Sequence, residues 1–121
     1  MSRIIFTNQK GGVGKTTLTR EVGITLSELG MRVLLVDCDP QGNLSKSFEV
    51  EASGLYDGLT GGEAIVHHIN NRLALLPGNL SLSLLEKRLL GEIDAYERLR
   101  ELLDTDEFRV YDFILLDTPP S

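Results

Sequence analysis

Four short apolar runs divide the chain: Ile4-Ile5-Phe6, Val33-Leu34-Leu35-Val36, Leu73-Ala74-Leu75-Leu76 and Phe113-Ile114-Leu115-Leu116. The first is rich in β-branched and aromatic residues. The second is a continuous apolar stretch of the kind buried on both faces of a parallel sheet, and it ends in Asp37. We expect strands over residues 3–7, 32–37, 72–76 and 111–117. Between the first two, Leu18, Val22, Leu26 and Leu29 recur at helical spacing, which predicts a helix from residue 16 to about 29 with Gly30 as its C-cap. Strand, helix, strand in that order makes a right-handed crossover that leaves the two strands parallel. The pattern then weakens. Residues 53–62 carry four glycines and read as a loop around a short helical turn, and residues 63–69 read as a brief helix. Asn70-Asn71 marks a turn, Pro77-Gly78 stops the third strand, and Asn79 is placed to cap the next helix. Leu82, Leu85 and Leu89 form one apolar stripe; Gly91 interrupts it, and Ile93, Tyr96, Leu99, Leu102 and Leu103 continue on a further helical face. The charges between them are its solvated side.

Composition adds bounds to this α/β pattern. A chain of 121 residues suits one domain, burying roughly two thirds of its unfolded surface. No run approaches a membrane span and the first residues lead straight into a strand, so the expected location is cytoplasmic. Cys38 is the single cysteine, which excludes an internal disulfide and leaves it the role of a small packing residue. The formal charge is −6, and the 12 basic residues are scattered, unlike a nucleic-acid footprint. Adjacent His67 and His68 would point in different directions on a helix and have no spaced carboxylate, so they make a poor metal pair.

The stretch Asn8-Gln9-Lys10-Gly11-Gly12-Val13-Gly14-Lys15-Thr16-Thr17 holds three glycines in four positions, between a predicted strand and a predicted helix. Glycines there let successive N–H groups turn inward around an anion, and the helix start adds unpaired N–H groups and the positive end of its dipole. Lys15 would reach the β and γ phosphates, and the Thr16 hydroxyl would ligate Mg²⁺. The ordinary loop pattern has a glycine where Gln9 stands; here a lysine, Lys10, directly precedes the glycines.

Asp37-Cys38-Asp39-Pro40-Gln41-Gly42-Asn43 comes after the second apolar run, at the carboxyl end of a strand where ligands of open α/β sheets bind. Of two carboxylates beside a phosphate loop, one can hold Mg²⁺ or its waters and the other can position an attacking water. The last run ends in Asp117, an acid placed as in the Walker B pattern to hold the magnesium hydration shell.

The segment Lys10 to Thr16 resembles the deviant Walker A motif of the ParA/MinD family, and Asp37 to Asn43 is similar to the corresponding segment of ParA/Soj-type partitioning ATPases. The resemblance spans residues 1–121 but only the amino-terminal half of such proteins. It implies a P-loop NTPase fold with strand order 3-2-4-1 for the part present, as the incomplete half of a larger single domain. By resemblance Lys10 reaches nucleotide held by a partner subunit, and Lys10, Lys15 and Asp39 form the catalytic set. Gly11, Gly12, Val13, Gly14, Lys15, Thr16 and Thr17 cradle ATP; Thr16, Asp37 and Asp117 lie at the metal. The implied protein is a slowly hydrolysing, dimeric, MgATP-dependent switch with nonspecific DNA and a DNA-binding partition protein as partners, and no membrane. The competing expectations are a MinD-type membrane-cycling ATPase and a nucleotide-binding module without turnover. ATP and GTP are not distinguished, because no base-reading residue is visible.

Overall fold

The computed structural model describes residues 3–7, 13–85 and 92–119. Its centre is a five-stranded sheet. Strands β1 (Arg3–Thr7), β2 (Val33–Asp37), β4 (Leu73–Leu76) and β5 (Phe113–Asp117) are parallel to one another, and β3 (His67–His68) pairs antiparallel with β4. The order across the sheet is β1-β5-β2-β4-β3. Read from the β4 side, the four anticipated strands stand in the anticipated 3-2-4-1 order. The added strand is β3, where the sequence pattern predicts a brief helix. His67 and His68 are both exposed, so no periodic burial marks the strand; backbone pairing to Leu75 and Ala74 makes it.

Because the inner strands are apolar at every position before the acids that end β2 and β5, alternate side chains feed two cores. Leu34, Val36, Ala74, Leu76, Ile114 and Leu116 face one side. There they meet Leu55 and Leu59 of helix α3 (Gly54–Leu59), Leu82 of a 3₁₀ turn (Leu80–Leu84), and Leu99 and Leu103 of helix α4 (Glu92–Leu103). Phe108 and Tyr111 close that side, and Cys38 packs against it as a small residue. Val33, Leu35, Leu73, Leu75 and Leu115 face the other side, under helix α1 (Val13–Glu28) and helix α2 (Asn43–Ser47). Each buried leucine contributes about 1.5 to 3 kcal/mol by leaving water.

Helix α1 starts three residues before the predicted position and stops with a Schellman turn: Gly30 at φ 95° has its N–H on the Ser27 carbonyl, and the Met31 N–H reaches the Leu26 carbonyl. Of the leucine stripe, Leu26 packs against the core while Leu18, Val22 and Leu29 do not line the buried face. Thr19, Gly23 and Ser27 lie inward, and Gly23 sits so close to β2 that a β-carbon there would be 2.6 Å from Leu35 Cδ2. Leu18 and Val22 remain 45% and 38% exposed. Ile4 and Ile5 of β1 are exposed as well, on the strand that ends the sheet among the described residues.

Candidate functional site

The parallel register brings three strand ends into one row. Thr7 pairs with Asp117, and Asp117 pairs with Asp37, so the carboxyl ends of β1, β5 and β2 lie side by side. Helix α1 begins over this row, and its first turn carries Thr16. The Thr16 hydroxyl donates to Asp117 Oδ2 at 3.0 Å, joining the helix start to the acid that ends β5. The Cys38 N–H donates to the Asp117 carbonyl at 2.9 Å, which fixes the chain as it leaves β2. Of the anticipated phosphate loop, Val13, Gly14, Thr16 and Thr17 begin α1, with Gly14 and Thr17 exposed. Lys10, Gly11, Gly12 and the side chain of Lys15 lie outside the described residues.

The segment after β2 is organised by Asp37. Its side chain is fully buried. Oδ1 accepts the Asp39 N–H at 3.2 Å, and Oδ2 accepts both the Ser45 N–H at 2.9 Å and the Ser45 hydroxyl at 2.7 Å. Burial pushes the Asp37 carboxyl up to about 6; the Ser45 and Asp39 hydrogen bonds pull the other way, and the Asp117 charge adds a smaller upward push. Asp39 is nearly buried and makes its own turn, accepting the Gln41 N–H on Oδ1 at 3.0 Å and the Gly42 N–H on its carbonyl at 2.9 Å. Gly42 then takes φ 66°, a left-handed conformation in which a side chain is strained, and its carbonyl accepts the Lys46 N–H to start α2.

This segment is locked onto the loop after β4. The Gly78 N–H donates to Ser45 Oγ at 3.0 Å, and Gly78 passes so close to β2 that a β-carbon there would lie 2.1 Å from the Asp37 carbonyl oxygen. Asn79 caps the 3₁₀ turn through the Ser81 N–H at 3.0 Å, as its position in the sequence suggests. A cleft of about 330 Å³ opens beside the lock, lined by Pro40, Gln41, Lys46, Glu51, Asn79 and Leu80 among others. Ser45 and Gly78 carry no motif signal. They emerge only when Asp37 is seen to need donors.

A hydroxyl and carboxylates are hard oxygen donors that suit magnesium. No group of three or more His, Cys, Asp or Glu side chains is arranged to hold a metal among the described residues, and His67 and His68 contribute to none. The Thr16 hydroxyl and the Asp117 carboxylate, with Asp37 on the neighbouring strand end, fit an ion that keeps waters and takes its remaining ligands from substrate phosphates.

A phosphate-loop helix locked to a strand-end acid in a parallel sheet is the arrangement of P-loop NTPases, and the AAA domain family matches residues 1–121. The chain belongs to that family, and its sequence is similar to proteins of the ParA/Soj type. It is 44% identical to the chromosome-partitioning ATPase Soj of Thermus thermophilus, over 98% of this chain and 46% of that protein. It is 38% identical to the sporulation initiation inhibitor protein Soj of Bacillus subtilis, over 100% of this chain and 51% of that protein. Among solved structures, cobyrinic acid a,c-diamide synthase from Mycobacterium smegmatis with bound ADP and magnesium superposes with a TM-score of 0.83 at 36% identity, over 100% of this chain and 52% of that one. The chain spans about half the length of the curated relatives it matches. Among the described residues, no helix of this chain is long and apolar enough to cross a membrane.

Proposed function

We propose that this chain forms the nucleotide-binding part of a MgATP-dependent switch ATPase of the DNA-partitioning type. The observation that carries the reading is the Thr16–Asp117 hydrogen bond at the strand-end row, directly beside Asp37. Lys15, on the first turn of α1, supplies charge to the β and γ phosphates, and the α1 N-terminus with Gly11 to Gly14 supplies backbone donors. Thr16 and Asp117 would hold magnesium, with Asp37 close by; when bound, that ion neutralises phosphate charge as the bond to the leaving oxygen breaks. Asp39 positions the attacking water. Lys10 acts across a homodimer, where a cation delivered to the γ phosphate is worth about 10³ to 10⁵ in rate.

The name of the Thermus thermophilus relative favours chromosome partitioning; with that reading go nonspecific DNA and a DNA-binding partition protein as partners and a cytoplasmic setting. The exposed apolar residues Ile4, Ile5, Leu18 and Val22 favour a larger single domain in which further chain packs beside β1 and α1. The structural neighbour bears a synthase's name, so the test has two parts. Calorimetry with a nonhydrolysable ATP analogue should show magnesium-dependent binding that Lys15→Ala abolishes. Phosphate release from ATP by the full-length protein should then proceed with no second substrate, and should stop in Asp39→Ala while binding persists. Unchanged affinity in Lys15→Ala overturns the nucleotide reading, and turnover that requires an added acceptor substrate overturns the switch reading.

A further inference from the structure

Asp39 sits on a segment with no regular structure of its own, between the end of β2 and the start of α2. Besides the Cys38 N–H on the Asp117 carbonyl, four hydrogen bonds hold that segment, and Ser45 takes part in three of them. Its N–H and hydroxyl both donate to Asp37 Oδ2, at 2.9 and 2.7 Å, and its hydroxyl oxygen accepts the Gly78 N–H at 3.0 Å. The fourth is the Asp39 N–H on Asp37 Oδ1. Ser45 is 1% exposed, so these bonds are not in exchange with bulk water.

We propose that Ser45 is a positioning residue for hydrolysis: its hydroxyl bridges Asp37 to Gly78 and thereby sets the placement of Asp39. The proposal rests on the reading of Asp39 as the residue that positions water. The Thr16–Asp117 hydrogen bond is made without Ser45, so an effect on hydrolysis is told from one on nucleotide binding by measuring both. Without the hydroxyl, Gly78 loses its acceptor and Asp37 keeps only the backbone donors of Ser45 and Asp39. The segment then has a looser hold at its far end, and a displacement of about 1 Å at a reacting group costs on the order of 100-fold in rate.

The experiment compares Ser45→Ala, Ser45→Thr and Asp39→Ala in the full-length protein, measuring steady-state ATP hydrolysis, affinity for a nonhydrolysable ATP analogue and thermal midpoint. Ser45→Ala should lower kcat about 10- to 100-fold with KM and analogue affinity within about twofold. Ser45→Thr, which keeps the hydroxyl, should restore kcat. Wild-type kcat in Ser45→Ala, with turnover lost in Asp39→Ala, overturns the positioning role and leaves the function intact. A fall in kcat matched by a fall in analogue affinity or in folded fraction makes Ser45 a structural residue only, and also overturns it. Full turnover in Asp39→Ala removes both the role of Asp39 and the proposal built on it.

Discussion

The Thr16 hydroxyl meets the Asp117 carboxylate at 3.0 Å across a sequence separation of 101 residues, and so joins the first helix to the last strand. A buried carboxylate that loses a hydroxyl donor costs about 1 to 3 kcal/mol. Thr16→Val keeps the shape and removes the donor. It should lower unfolding stability by about that amount and weaken the magnesium dependence of nucleotide binding, whereas Thr16→Ser should preserve both. Urea titration and calorimetry with and without magnesium check the two effects separately.

Lys10 is predicted to matter only between subunits. In the full-length protein, Lys10→Ala should bind ATP as the wild type does and lose ATP-dependent dimerisation and turnover. Light scattering under ATP, with turnover followed against protein concentration, makes the comparison. Concentration-independent turnover that survives Lys10→Ala would remove the role in trans.

Asp37 gives the nucleotide-free protein a pH dependence of definite sign. Its carboxyl titrates at about 6 in the folded chain, raised by burial from 3.8. Between those values the folded state holds a proton that the unfolded state has lost. The stability it contributes is complete below about pH 4 and disappears as pH rises through about 6, a change of about 3 kcal/mol. Asp37→Asn cannot lose that proton. Relative to wild type it should therefore gain stability between pH 4 and 7, measured by denaturant midpoints without nucleotide or magnesium. A relative loss over that range would mean that the charged carboxylate is favoured in the fold.

Two glycines separate close approach from backbone conformation. Gly78→Ala puts a methyl 2.1 Å from the Asp37 carbonyl oxygen, where the backbone of β2 cannot yield cheaply, and 2.8 Å from Leu82 Cδ1. It should destabilise by about 3 kcal/mol or more. Gly30→Ala meets nothing within 4 Å but must hold φ 95°, which costs about 1 to 2 kcal/mol. Equal losses in thermal denaturation would contradict the distinction.

The strands were legible because each inner one is apolar at every position up to the acid that ends β2 and β5, a pattern that burial on two faces demands. Asp37, Asp39 and Asp117 were legible because acids at the ends of such runs interrupt an otherwise continuous apolar signal. Helix α2 was not, since five residues with little periodicity are held by the contact of Ser45 with Asp37 rather than by propensity. The short helical turn read within the glycine-rich stretch is α3. Gly54 and Gly58 are needed where β-carbons would come within 2.6 Å of the Ile65 carbonyl oxygen and the Ala64 side chain. In α1 the spacing of leucines correctly indicated a helix, but its sheet-facing side is made of small residues that carry little hydropathy signal.

Thr7, Asp117 and Asp37 occupy a single rung of a parallel sheet. A rung cannot slip by one residue without turning every side chain on that strand to the opposite core, and both cores here are filled. The lateral spacing of the two acids is therefore a constant of the sheet, the same before and after any chemistry at the site. Motion that reports nucleotide state has to be carried by the connecting segments beyond the rung, with the sheet serving as the fixed ruler against which they move.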